Sequence, residues 1–353
     1  MNAIEEIERQ LRDSVAARKP SSAGSAAETP ATTPDAHSSR TPPWAARRRP
    51  MQFAALLLAT AGVVLVLGLT TSGPASGPAP AVAAVLERLA RIAATGPSLV
   101  PGPRQYLYVD SMSSYPSIAV AGGREKACVS YAVDHRQVWI AANGSGLLRE
   151  TTGPNTYTSP SDRALCLSMT SQASSAGGTS NLWFAARCFA LGPTNDMQAL
   201  STNPRTLLQQ MRRIDGGPPG RAEDFVHVGD FLRGTDASPA LRAALYRAAA
   251  LIPGVQLLGL VRDHIGRLGL GVALTNGHVR NELIFDPRTA ALLGEQSTGK
   301  APGSNSWAVY LRSRLVNRVR YPSPVALTPP CDNGAGYAHS VPGGTVITGH
   351  PTK

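Results

Sequence analysis

Aromatic residues make up only 5% of this 353-residue chain, so its core must be filled mainly by alanine, leucine and valine. None of its four cysteines stands in a Cys-x-x-Cys or Cys-x-x-His spacing, which removes the common structural zinc sites. Gly-x-Ser-x-Gly and His-Glu-x-x-His are both missing, and with them the hydrolase elbow and the helical zinc protease site. The 34 glycines and 29 prolines fall short of the quarter or more of a chain that marks wholesale disorder. Charge is absent altogether from Pro50 to Val85. Elsewhere it is plentiful: the net charge is +11. Its basic residues are mostly arginine and lie along the whole length rather than in one block with interleaved aromatics. That distribution argues against a nucleic-acid partner.

The uncharged region contains the longest apolar run, MQFAALLLATAGVVLVLGLTT at residues 51–71. About 20 apolar residues are enough to cross a bilayer core of about 30 Å as a helix. The reading at this stage is therefore one transmembrane helix. Arg40 and Arg47-Arg48-Arg49 precede it, and no charge follows until Glu87. The positive flank sets an inside N-terminus and a large extracytoplasmic part. A cleaved signal peptide competes, with Ala79-Pro80-Ala81 as its small-residue site, but the run is too long and starts too late. A buried helix of a soluble domain is the other alternative; such helices seldom stay this apolar for so long.

Four regions follow. Residues 1–50 form a cytoplasmic segment, in which Ile4, Ile7, Leu11 and Val15 recur at helical spacing and offer a face to a cytoplasmic protein partner across residues 4–15. Residues 20–43 read as a flexible linker. Residues 51–71 are the span, 80–322 an extracytoplasmic domain, and 323–353 a Pro/Gly-rich tail. Within the domain, residues 81–94 predict a helix. Asn203-Pro204 and Ser238-Pro239 each set a cap before a proline and open two more. Strand patterns occur at 105–110, 137–141 and 307–320. A run from 255 to 296 is punctuated by Asn276-Gly277 and Asp286-Pro287, which predicts an antiparallel meander. Helices interrupt these strands rather than alternate with them, so the expected class is α+β with a curved, half-barrel-like antiparallel sheet.

Cys128, Cys166, Cys188 and Cys331 all follow the apolar run, and an even count on an oxidising side predicts two disulfides. Three connectivities are open. Cys166–Cys188 would close the shortest loop, and Cys128–Cys331 would then tie the tail to the domain. Residues 294–301 (GEQSTGKA) approach a phosphate-binding loop, but Ala301 lacks the metal-binding hydroxyl and Pro302-Gly303 cannot start the required helix. Ser297-Thr298-Gly299-Lys300 fits Ser-x-x-Lys only in letters, because a glycine-rich loop does not hold both side chains on one helical turn. Seven histidines are scattered, and only His264 and His278 suggest a meeting across the meander, without a third metal ligand. Asn143-Gly144-Ser145 is both a glycosylation sequon and a good turn. No catalytic, cofactor-binding or metal residue is assigned.

Three stretches carry a family likeness. They are Leu147-Leu148-Arg149-Glu150 after the Trp139 strand, LRAALYRAAALIPGV at 241–255, and GRLGLGVAL with RNELIFDPRTAALLGEQ inside 266–296. They resemble an actinobacterial family of single-span, membrane-anchored proteins of unknown function, often encoded beside extracytoplasmic-function sigma factors. The likeness runs from about residue 85 to 296 and implies an extracytoplasmic domain on one span, with no catalytic residues to carry over. The meander with its FDPxT turn also looks like the half-barrel of lipoprotein carriers and of periplasmic anti-sigma regulators. Anti-sigma domains of that lineage carry a zinc-binding His/Cys cluster, whereas residues 1–50 hold His37 and no cysteine. The expected function is thus a membrane-anchored extracytoplasmic binding or regulatory protein, sensor-like and without catalysis, possessing an apolar ligand site in the outer domain. The alternative is a lipid or lipoprotein carrier using a concave sheet face.

Overall fold

The computed structural model describes residues 80–121, 126–169, 177–189, 193–194, 196–215, 220–233, 236–332 and 336–349. The expected amphipathic helix and partner face at 4–15, the linker at 20–43 and the apolar run at 51–71 lie outside them.

The first described element is α1 (Pro80–Ala94), whose Val82, Val85, Leu86, Leu89, Ala90 and Ala93 repeat at helical spacing and are all buried. Seven strands follow with one helix among them: β1 (Tyr106–Ser114), β2 (Pro116–Ala121), β3 (Lys126–Tyr131), β4 (Asp134–Ala141), β5 (Gly146–Thr152), β6 (Thr156–Tyr157), α2 (Pro160–Met169) and β7 (Gly178–Phe184). Three helices come next, α3 (Pro204–Asp215), α4 (Arg221–Leu232) and α5 (Pro239–Ala249). Both proline-led starts are capped. The Asn203 side-chain oxygen accepts from the backbone N–H groups of Arg205 and Thr206 at 3.1 and 3.2 Å, and Ser238 Oγ accepts from Leu241 N–H at 3.2 Å. The chain then runs through β8 (Gln256–Arg262), β9 (Leu268–Asn276), β10 (Val279–Phe285), β11 (Leu292–Gly299) and β12 (Ser306–Val316). It ends in the hairpin β13 (Tyr337–Val341) and β14 (Gly344–Thr348).

Eleven strands form one sheet in the order β13-β14-β7-β5-β4-β1-β12-β11-β10-β9-β8, while β2, β3 and β6 make a small second sheet. Two meanders, β4-β5 and β8 to β12, are joined because β1 pairs with both β4 and β12. Asp110 faces Arg312, Ser111 faces Tyr310, and Leu311 is left over as a bulge. Helices α1, α3, α4 and α5 cover one face of the β8–β12 half. There Val272, Leu274, Leu283 and Phe285 pack in one core with Phe225, Phe231, Leu241 and Leu245. The Tyr246 hydroxyl, fully buried in that core, donates to the Ala290 carbonyl.

The α+β class stands, but the expected architecture is corrected in three respects. The sheet is mixed rather than an antiparallel half-barrel: β14 lies parallel to β7, pairing Val346 with Trp183. Residues 337–348, expected as tail, supply β13 and β14: Val346 and Ile347 point to opposite faces and both are buried, as in a strand packed on both sides. The expected transmembrane helix is not found: no helix among the described residues is long and apolar enough to cross a membrane.

Gly146 opens β5 where a Cβ would lie 1.9 Å from the Trp139 carbonyl oxygen, whereas Gly178 on β7 has open space around it. Gly146→Ala should therefore cost about 1–3 kcal/mol or more in chemical denaturation, and Gly178→Ala should stay within about 0.5 kcal/mol of the parent. Equal denaturation midpoints for the two variants would contradict the close approach of β4 and β5.

Candidate functional site

Residues directly opposite each other in neighbouring strands share a face. Across six strands, that rule sets Arg314, Tyr108, Trp139, Leu147, Trp183 and Val346 in one row on the face away from the helices. The next row is polar: Arg312, Asp110, Gln137, Arg149 and Asn181. The Leu311 bulge decides the first position of both rows. Ala308 and Tyr310, before it, lie in the helix-side core; Arg312 and Arg314, after it, turn to the open face.

After β12 the chain runs back across this face as a strap, residues 317–331. Val319, Tyr321 and Leu327 pack onto the Tyr108–Trp139–Trp183 cluster. Tyr108 and Trp139 are 4.9 Å apart, and Tyr321 meets Trp139 edge-on at 6.1 Å. Trp183 Nε1–H donates to the Tyr321 carbonyl at 3.2 Å. The far end is pinned by Cys331, whose N–H donates to the Ala186 carbonyl at 2.9 Å and whose sulfur is bonded to Cys188.

Between strap and strands lies a groove of about 900 Å³. Tyr108, Gln137 and Trp139 form its floor, Arg314 and Val316 one wall, and Arg318, Val319 and Arg320 the strap side. Arg149 sits 4.5 Å from the centre of the Tyr321 ring and Arg320 5.8 Å from it, while Arg314 sits 5.8 Å from the Tyr108 ring. Among the described residues no carboxylate pairs with Arg312, Arg314, Arg318 or Arg320. The nearby Asp110 is already engaged: its carboxylate is 2.7 Å from His135 Nε2 and accepts from the Tyr108 hydroxyl at 3.2 Å. Burial first, and then the Asp110 charge, push the Tyr108 hydroxyl above the usual tyrosine range, so it stays a proton donor. The arrangement presents permanent positive charge along the groove.

A second polar cluster sits on the helix side, at the end of α4. Glu295 accepts from the hydroxyls of Tyr115 and Tyr310 at 3.2 and 3.1 Å and pairs with Arg233 at 2.9 Å. Burial and then the Glu295 charge raise the Tyr310 hydroxyl well above its ordinary value. Gly229 makes the room, since a Cβ there would stand 3.2 Å from the Glu295 carboxylate. Arg233 also pairs with Asp230, although its buried Nε–H finds no acceptor; the other partners match one another, so this cluster reads as structure.

The four candidate cysteines are all oxidised, as Cys128–Cys166 and Cys188–Cys331. The shortest loop is thus not the one closed: Cys166 on α2 reaches back to β3, and Cys188 reaches the strap. The phosphate-loop-like residues 294–299 lie on β11, paired with β10 and β12. Ser297 and Lys300 accordingly share no helix. His264 and His278 stand in the turns at opposite ends of β9 and do not meet. His264 instead stacks on Trp307 at 3.7 Å and 11°. Among the described residues no three His, Cys, Asp or Glu side chains converge as metal ligands. Arginine clustering escaped the sequence reading. Its trace is the alternation Arg312-Ser313-Arg314 in β12, which sets that pair on one side of the strand, with Arg318 and Arg320 following in the strap. The chain matches no protein-family model and no curated protein.

Two measurements check these assignments. Disulfide Cys188–Cys331 has a sequence separation of 143 and Cys128–Cys166 one of 38. On the chain-entropy estimate, replacing each pair by alanine should cost about 5 and about 4 kcal/mol respectively. Only the first should also free the strap and expose Trp183, seen as a red shift of tryptophan emission. The same emission from both variants would contradict the tether. For His264, burial lowers the pKa below the ordinary 6.5, only partly opposed by Asp263. A histidine held neutral in the folded state contributes fully above 6.5 and loses that contribution as pH falls below it. Its NMR titration midpoint should lie under 6.5 and return toward 6.5 in Trp307→Ala; an unchanged midpoint in that variant would rule out the stacked ring as the cause.

Proposed function

We propose that this chain is a non-catalytic, extracytoplasmic binding protein of the sensor type, and that the groove under the strap holds an anionic ligand. The observation that carries the reading is the set of arginines around the groove, Arg314, Arg318 and Arg320, with which no carboxylate pairs among the described residues. Like charges held close in a folded protein repel one another, and an anion bound among them relieves that repulsion. Two disulfides favour an oxidising compartment. The resemblance of residues 241–255 and 266–296 to actinobacterial extracytoplasmic domains agrees with that location.

A lipid or lipoprotein carrier has less in its favour. It needs a large empty apolar chamber against the sheet. On the helix side, Val272, Leu283 and Phe285 instead pack directly against helix residues, and the apolar cleft beside Leu232 and Leu292 is only about 300 Å³.

Calorimetric titration with small multivalent anions (citrate, sulfate and pyrophosphate) tests the binding reading. At least one should bind at low ionic strength, weaken as salt is raised, and lose tenfold or more in affinity in an Arg314→Gln/Arg320→Gln variant. If none of them binds, or if the double variant binds as the parent does, the groove is not the ligand site.

A further inference from the structure

The geometry points to a soluble organic phosphate as the ligand of this groove, held by the guanidinium forks of Arg314 and of Arg318 and Arg320 on the strap. The inference rests on the anion-binding reading above and makes it chemically specific.

Three features favour phosphate over carboxylate. First, the charged groups facing the groove are arginines without exception, and guanidinium supplies a planar pair of donors suited to phosphate oxygens. Second, the donors come from two segments. Arg314 rises from β12 and Arg318 and Arg320 from the strap, so they approach a ligand from different sides. One carboxylate has two oxygens and is satisfied by a single fork. A phosphomonoester has three terminal oxygens and close to two charges, enough to bridge separate forks. Third, arginines two residues apart in extended chain start about 7 Å from each other. Arg318 and Arg320 hold that spacing in sequence along the strap, and Arg314 stands apart from them on β12, so positive charge is spread around the groove rather than set at one point.

The rest of the groove fits an organic body on that phosphate. Val316 and Val319 give apolar walls beside the guanidinium groups. Tyr108 and Trp139 are buried, at 7% and 5% exposure, so the floor is closed and leaves little ring surface for stacking. Gln137 already donates to the Tyr108 hydroxyl at 2.9 Å and keeps the floor fixed. Because the strap walls one side of the groove, the site is a recess, which suits a solute that enters it better than a flat bilayer surface.

The test uses the full chain at pH 8 with two aromatic dianions, phenyl phosphate and phthalate, together with pyrophosphate and phosphatidylglycerol vesicles. Phenyl phosphate and pyrophosphate should bind at least tenfold more tightly than phthalate. Arg314→Gln and Arg320→Gln should each weaken phenyl phosphate tenfold or more while shifting the melting temperature by no more than about 4 °C. Phenyl phosphate should also protect Arg314 and Arg320 of the unaltered protein from phenylglyoxal, a readout that needs no variant to fold. Equal affinity for phthalate would overturn phosphate recognition and leave the anion-binding reading intact. Binding to the vesicles without binding to phenyl phosphate would overturn the soluble-ligand assignment. Should no probe bind at all, both readings fall.

Discussion

The bulge at Leu311 is the constraint on which the two sides of this sheet depend. Side chains alternate strictly along a regular strand, so a β12 without an extra residue would keep Tyr310 and Arg312 on the same face. That face would then hold either a buried guanidinium among the helices or a stranded aromatic in solvent. One unpaired residue separates them: Ala308 and Tyr310 stay in the helix-side core, and Arg312 and Arg314 emerge on the other side. The core half of the strand and the charged half are thus built from one sequence, and the join lies where Asp110 gives way to Ser111 on β1.

The same seam joins two locally folded units. The β8–β12 run is held by near-neighbour hairpins, with Gly277 supplying the positive φ its turn requires. The hairpin of β4 and β5 is likewise local. Joining them takes β1, whose partners in β12 lie some two hundred residues further on. Contacts of that span are not written in any short stretch of sequence.

That division explains what could be read in advance. Capped helices and the β9–β10 turn depend on a few adjacent residues, and their signals were plain at Asn203, Ser238 and Asn276-Gly277. The strands β13 and β14 were hidden because their residues sit among prolines and glycines, and the strand that joins them to the sheet, β7, lies far earlier in the chain. The cysteine pairs were undecidable for the same reason, since the nearest pair in sequence need not be nearest in space. Arginine content suggested only a diffuse charge. Strand register, a tertiary fact, turned alternating arginines into a groove. The long apolar run at 51–71 had the strongest local signal of all, yet it lies outside the described fold, in which no helix of spanning length occurs.

Holding unpaired arginines together requires something to offset their repulsion, and the open face supplies it from aromatic rings. Arg149 and Arg320 both lie beside the Tyr321 ring, and Arg314 beside Tyr108. Each such contact contributes roughly 0.5–1 kcal/mol where solvent reaches it, enough to bias a long side chain without fixing it. Tyr321 can do this only because the strap is anchored on either side of it, by the continuous β12 strand before and by the Cys331 bond to Cys188 after. The disulfide therefore acts at a distance: it keeps a tyrosine between two guanidinium groups, and through that tyrosine it keeps the positive wall of the groove in place.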